Sequence, residues 1–334
     1  MPKTSSGTDR PLWQRLLLRR LKMLGILAAI IVVLGGGIYL LAPQWLMQAN
    51  AWRMAKAAGL DTHSVQVGNT RWVYYEGGKG PTMVLLHGYG SDRNVWLQVA
   101  KPLTKHFHLI IPDLPGWGDS TRIRDAKYGI PAQAKRLYAF LHTLGIQHDM
   151  LVGHSMGGAI AGYYASEHPD AVGSLVLMDS FGLKFNENAF AKAALAGQNP
   201  FVFDDRAGYE KMAKLVFDTP PDLPGRFVDV LVDKSLANRT FRDRVFDRLR
   251  QPGQYDVLDA RLDKLTMPVL AVWCHDDRVI DPSALDTLRN GLVNAPSISV
   301  TVINGCGHMP EIEKPEAVER ILSGYALRQW TPSQ

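Results

Sequence analysis

Gly153-His154-Ser155-Met156-Gly157 follows the apolar run 150–152 and opens a helical pattern that continues GGAIAGYYAS. A strand that turns into a helix within one residue leaves no room for side chains beside the turn. Glycine on both sides of Ser155 answers that requirement. The pattern predicts a serine held in a strained backbone conformation, with the positive N-terminus of a helix beginning beneath it. Such a strand–turn–helix unit belongs in an open parallel sheet with right-handed crossovers.

The rest of the chain supplies that sheet. Short apolar runs at 83–86, 109–111, 175–178, 269–273 and 298–303 suit strands buried on both faces. Helical patterns at 132–144, 157–166, 283–292 and 315–326 alternate with them. Near residue 65, two short runs flank Gly68-Asn69, a hairpin signal. One interval breaks the rhythm. Between Phe181 and Leu265 no buried strand is evident, and the stretch holds Phe185, Phe190, Phe201, Phe203, Tyr209, Phe217 and Phe227, with prolines at 200, 220, 221 and 224. It reads as a mostly helical insertion over the functional edge of the sheet. The expected organisation is a core formed by 65–182 and 262–330, with a helical cap at 183–261.

Residues 23–42 carry no charge and are long enough to span a hydrocarbon core as a helix. Lys3, Arg10, Arg15, Arg19, Arg20 and Lys22 precede them against one acid, Asp9. That segment accounts for the whole formal charge of +5. The remainder is neutral, so the basic balance does not point to nucleic acid. A cleaved signal peptide is the competing reading, because Ala49-Asn50-Ala51 has the A-x-A form. The apolar run exceeds the h-region of such peptides, and that site lies well past its end. The expectation is therefore a basic cytoplasmic tail over 1–22, a transmembrane signal anchor over 23–42 and a linker over 43–64, with Trp45 at the interface. The positive-inside rule places everything after residue 43 on the non-cytoplasmic side, which in a bacterium faces the periplasm.

Ser155 is the candidate nucleophile. Leu85-Leu86-His87-Gly88-Tyr89-Gly90 follows the run at 83 and is the HG-x-G form that supplies a backbone amide to an oxyanion. The hole is assigned to the amides of Tyr89 and Met156, and His87 to ordering its loop. Ten histidines are present, but only His308 sits on a glycine-flanked loop after the last apolar run. It is the candidate general base. Three carboxylates follow strands in the required chain order, and Asp277 ranks ahead of Asp276 and Asp179.

Taken together, HGYG, DLPGWGDS (113–120), GHSMGG (153–158), VWCHDDRVID (272–281) and NGCGHMPEIEKP (304–315) resemble enzymes of the α/β-hydrolase fold. The resemblance is nearest to the membrane-anchored monoacylglycerol lipase branch and to related bacterial lipases and esterases. It runs from about residue 65 to 326. It implies a mostly parallel doubly wound sheet, a Ser155-His308-Asp277 triad and a helical cap. The family's acid stands on a G-x-x-D loop, which falls on Asp277 with Cys274 where glycine is usual. Cys274 and Cys306 are the only cysteines; they form no zinc motif and would lie on neighbouring catalytic loops, where two free buried thiols are expected ahead of a disulfide and spacing along the chain does not decide between them.

The implied reaction is acyl transfer through an acyl-serine, with neither metal nor organic cofactor. The expected substrate is a medium- or long-chain carboxylic ester such as an acylglycerol or another lipid ester. The same scaffold leaves open a C–C hydrolase, amidase, thioesterase or perhydrolase, and a catalytically silent membrane-bound binding module.

Overall fold

The computed structural model describes residues 11–147 and 149–330. The first ten residues of the basic tail, with Lys3 and Arg10, lie outside them. The chain opens with a 30-residue helix, α1 (Leu12–Leu41), none of whose residues is buried. It begins before the uncharged run and carries Arg15, Arg19, Arg20 and Lys22 within its first half. It is long and apolar enough to cross a membrane.

Pro43 then starts a second helix, α2 (Pro43–Ala57), within the expected linker. Ala55 and the following Ala58 are buried against the core, so this segment belongs to the folded domain. Strand β1 (Leu60–Val67) starts five residues earlier than the sequence suggested and pairs antiparallel with β2 (Thr70–Gly77) through the Gly68-Asn69 turn. The helix α2 also packs on the cap, and Tyr39 near the end of α1 meets Phe227 edge to face at 5.7 Å.

The remaining strands and helices alternate. They are β3 (Thr82–Leu86), α3 (Leu97–Leu103), β4 (His108–Pro112), α4 (Ile130–Leu144), β5 (Asp149–His154), α5 (Met156–Glu167) and β6 (Val172–Met178). The cap follows as α6 (Ala189–Leu195), α7 (Arg206–Val216) and the 25-residue α8 (Gly225–Leu249). The chain then returns to the sheet through β7 (Val269–Cys274), α9 (Ala284–Gly291), β8 (Ile298–Ile303), α10 (Pro310–Glu313) and α11 (Pro315–Trp330).

The eight strands run in the order β1-β2-β4-β3-β5-β6-β7-β8, and β3 to β8 are parallel. Side chains alternate across each strand. Met83, Leu85, Met150, Val152, Leu270 and Val272 face one layer, with α3 and α11. Val84, Leu86, Leu151, Leu175, Leu177 and Ala271 face the other, with α4 and α5. Burial on both faces explains why these strands appear in the sequence as apolar runs. The carboxyl ends of β3, β5, β6, β7 and β8 meet at one edge of the sheet, beneath the cap.

Candidate active site

Ser155 sits in the one-residue turn between β5 and α5, with φ 53° and ψ −119°. This is one of two positive-φ positions occupied by a residue other than glycine among the described residues. The strain is held by neighbours: the Ser155 amide donates to the Met178 carbonyl (2.9 Å), and its carbonyl accepts from the Phe181 amide (3.0 Å). The glycines are required sterically. A Cβ on Gly153 would stand 2.3 Å from the Gly157 carbonyl oxygen, and one on Gly157 would stand 2.6 Å from the carbonyl oxygens of Leu86 and His87.

His308 reaches this turn from the loop after β8. Its Nε2 lies 2.9 Å from Ser155 Oγ, and its Nδ1–H donates to Asp277 Oδ2 at 2.8 Å. Asp277 can only accept, which fixes the tautomer and leaves Nε2 free to take a proton from the hydroxyl. The second oxygen, Asp277 Oδ1, accepts from the amides of Val279 (2.7 Å) and Ile280 (3.1 Å). Burial raises the Asp277 carboxyl, and those two amides oppose it. Burial also drives His308 down to about 3, so the ring is a neutral base. Of the other carboxylates, Asp276 contacts His275 and the Gly305 amide, while Asp179 Oδ1 accepts from the Cys274 amide at 2.8 Å and its carboxyl stands beside that of Asp277, behind the triad position.

On the opposite side, a Cβ on Gly88 would lie 3.0 Å from Ser155 Cβ, so the HGYG loop abuts the serine. Met156 is the first residue of α5, and its amide has no acceptor within the helix. His87 is fully buried; its Nδ1–H donates to the Gly88 carbonyl (2.8 Å) and its Nε2 accepts from the Leu114 amide (3.0 Å). Burial holds it neutral, near 4. It therefore ties the loop to the chain after β4.

That chain carries the DLPGWGDS segment, whose physical role the sequence did not disclose. Asp113 is completely buried, accepts from the amides of Arg93 and Asp119, and forms an ion pair with the Arg93 guanidinium. Glu313 was also missed. Its carboxylate accepts from the Gly307 amide (2.6 Å) and the Thr219 amide (2.9 Å), fastening the His308 loop to the cap.

The cysteines correct an expectation. Cys274 and Cys306 are joined by a disulfide, with Cα atoms 5.3 Å apart. The β7–β8 register sets Cys274 opposite Ile303, and the turn that follows brings Cys306 back, its carbonyl accepting from the Asp276 amide. The bond joins the loop of Asp277 to the loop of His308. Chain spacing alone could not reveal it, since the partners meet only through strand pairing.

Ser155 opens into a cavity of about 250 Å³ whose wall is mostly apolar. Tyr89, Phe181, Phe190, Phe201, Phe246 and Leu249 line it, all but two of them from the cap. Tyr89 is pinned at its hydroxyl, which donates to the Arg242 carbonyl (2.7 Å) and accepts from Asn199 Nδ2 (3.1 Å).

The chain is similar in sequence and in fold to known proteins. The family described as alpha/beta hydrolase fold matches residues 81–315. Monoacylglycerol lipase abhd6-A of Xenopus laevis is 29% identical, over 86% of this chain and 88% of its own length. Lipase 1 of Psychrobacter immobilis is 30% identical over 73% of this chain and 76% of its own. A crystal structure of a membrane phospholipase A, a bacterial virulence factor, superposes with a TM-score of 0.82 at 33% identity, covering 92% of this chain and 99% of that one. With a parallel sheet of this topology, a serine on its strand–helix turn and a family match across most of its length, the chain belongs to the α/β-hydrolase family.

Proposed function

We propose that this protein is a membrane-anchored serine esterase that cleaves lipid esters, with Ser155 as nucleophile, His308 as general base and Asp277 as its acid partner. The observation that carries the reading is the continuous path of hydrogen bonds from Asp277 through His308 to Ser155, ending at an apolar cavity. His308 Nε2 accepts the hydroxyl proton as Ser155 Oγ attacks the ester carbonyl. Asp277 holds the ring and stabilises the imidazolium that forms. The amides of Met156 and Tyr89 receive the oxyanion. The imidazolium protonates the leaving alcohol, and water then hydrolyses the acyl-serine by the same route.

The cap aromatics offer an acyl chain a desolvated wall, and the relatives bear the names of acylglycerol lipases and lipases. The helix α1 supplies a span of about 45 Å at 1.5 Å per residue, enough for a hydrocarbon core of about 30 Å and its interfaces. Basic residues on its N-terminal side argue for a cytoplasmic N-terminus, with the hydrolase domain on the other side. A disulfide beside the active site suits the oxidising surroundings found there.

The test is hydrolysis of p-nitrophenyl esters of increasing chain length and of monoacylglycerols. Rates that peak at medium or long chains support the lipid esterase. Activity confined to acetate esters would remove the lipid part and keep the serine hydrolase.

A further inference from the structure

Behind the nucleophile lie two titratable groups that acyl transfer does not use. His154 directly precedes Ser155 and is 1% exposed; Glu311, on α10 after the His308 loop, is 0% exposed. His154 Nε2–H donates to the backbone carbonyl of His308 at 2.6 Å, and the two rings are 5.0 Å apart. His154 Nδ1 stands 3.2 Å from Glu311 Oε1, off the ideal angle, and neither atom has another partner among the described residues.

A carbonyl only accepts, so His154 Nε2 carries its proton. A carboxylate facing the bare lone pair of Nδ1 would be two acceptors in contact. One proton must therefore lie between them. We propose that Glu311 and His154 share that proton as a neutral pair and act as positioning residues, fixing the backbone of the base from behind.

The surroundings decide where the proton rests. His87 and His308 face the His154 ring, and Asp179 and Glu313 face Glu311, with Asp277 beyond His308. Burial raises Glu311 to about 8, and burial together with His308 holds His154 well below the ordinary histidine range. Both push the proton onto Glu311. The neutral form has a catalytic rationale. An imidazolium at His154 would oppose the one that His308 must become, and a bare carboxylate at Glu311 would load the base with protons before the serine needs it. A neutral donor grips the His308 carbonyl and leaves the charge to Asp277.

This inference rests on the triad reading, which Ser155→Ala tests separately, so one measurement is made without catalysis. In isotope-labelled histidine spectra of the full chain, His154 should appear as the neutral tautomer protonated at Nε2. An imidazolium signal, or protonation at Nδ1, overturns the neutral pair. In kinetics, Glu311→Leu should lower kcat roughly 10- to 100-fold with KM changed no more than about twofold, the signature of a displaced base. Glu311→Gln keeps a donor for Nδ1 and should recover most of kcat, with the acid limb of kcat/KM within about 0.3 unit of wild type. A folded Glu311→Leu protein with wild-type kcat refutes the positioning role. A Glu311→Gln acid limb displaced by about one unit or more refutes the neutral state.

Discussion

Removing the disulfide separates what holds the active-site loops from what the loops do. Cys274 ends β7 three residues before Asp277, and Cys306 lies two residues before His308. In the double variant Cys274→Ala, Cys306→Ala, the unfolded chain regains the freedom of a loop whose ends are 32 residues apart. The chain-entropy relation gives about 3.7 kcal/mol for a loop of that length. Against a total stability of about 5–15 kcal/mol, the variant should still fold. For a domain of this size the loss should lower the melting temperature by roughly 6 °C. Catalysis should suffer less. The β7–β8 pairing reaches Cys274 and Ile303, the His275 amide still donates to the Ile303 carbonyl (2.8 Å), and the Asp277–His308 bond does not involve sulfur. We expect kcat to fall by less than about tenfold, equivalent to about 1.4 kcal/mol. The assay is thermal unfolding of the full chain in detergent, with and without reductant, beside ester hydrolysis at 25 °C. A melting temperature within about 2 °C of wild type would refute the staple, since that corresponds to only about 1 kcal/mol. A loss of kcat beyond about 100-fold in a folded variant would refute the claim that strand pairing and the loops' hydrogen bonds keep them in place without the disulfide.

Three further outcomes are expected. Asp277→Asn should preserve the fold yet lower kcat by about 10³–10⁴, because the wrong histidine tautomer is favoured; a fall under tenfold in pre-steady-state assays would shift the acid role to Asp179 or Asp276. Gly157→Ala places a methyl 2.6 Å from two backbone oxygens and should cost about 1–3 kcal/mol or more, read as a lowered denaturant midpoint. Stability should also depend on pH at both ends. His87 and His308 are held below their unfolded value of 6.5, so their contribution is present above 6.5 and drains away as pH falls toward about 4 and about 3. Glu311 is raised from 4.5 to about 8, so its contribution is present below 4.5 and is lost as pH rises through 8. Urea midpoints taken from pH 4 to 9 should show a maximum between those limits, and a curve still rising past 8 would contradict the neutral Glu311.

What could be read from the sequence follows from burial. Strands β3, β5, β6 and β7 are covered on both faces, so they stand out as apolar runs, and the turn at Ser155 announces itself through glycines that nothing larger can replace. The start of β1 was not legible because Asp61, Thr62, His63 and Ser64 are exposed on an antiparallel edge strand. The helix α2 escaped for a related reason: only Pro43 and Ala55 of its 15 residues are buried, too few to print a periodic stripe. Ser155, His308 and Asp277 could be proposed from loop position and chain order. The Cys274–Cys306 bond, the Arg93–Asp113 pair and the Glu311–His154 contact could not, because each joins elements that only the folded sheet brings together.

The central claim is that Ser155 is a nucleophile activated by His308. The most direct measurement is attachment of a fluorophosphonate probe to the intact protein, located by peptide mass spectrometry. The account predicts one adduct, on Ser155, absent in Ser155→Ala and formed at least about 10³-fold more slowly in His308→Ala. A folded protein that takes no label at Ser155, or takes it equally fast without His308, would contradict the account.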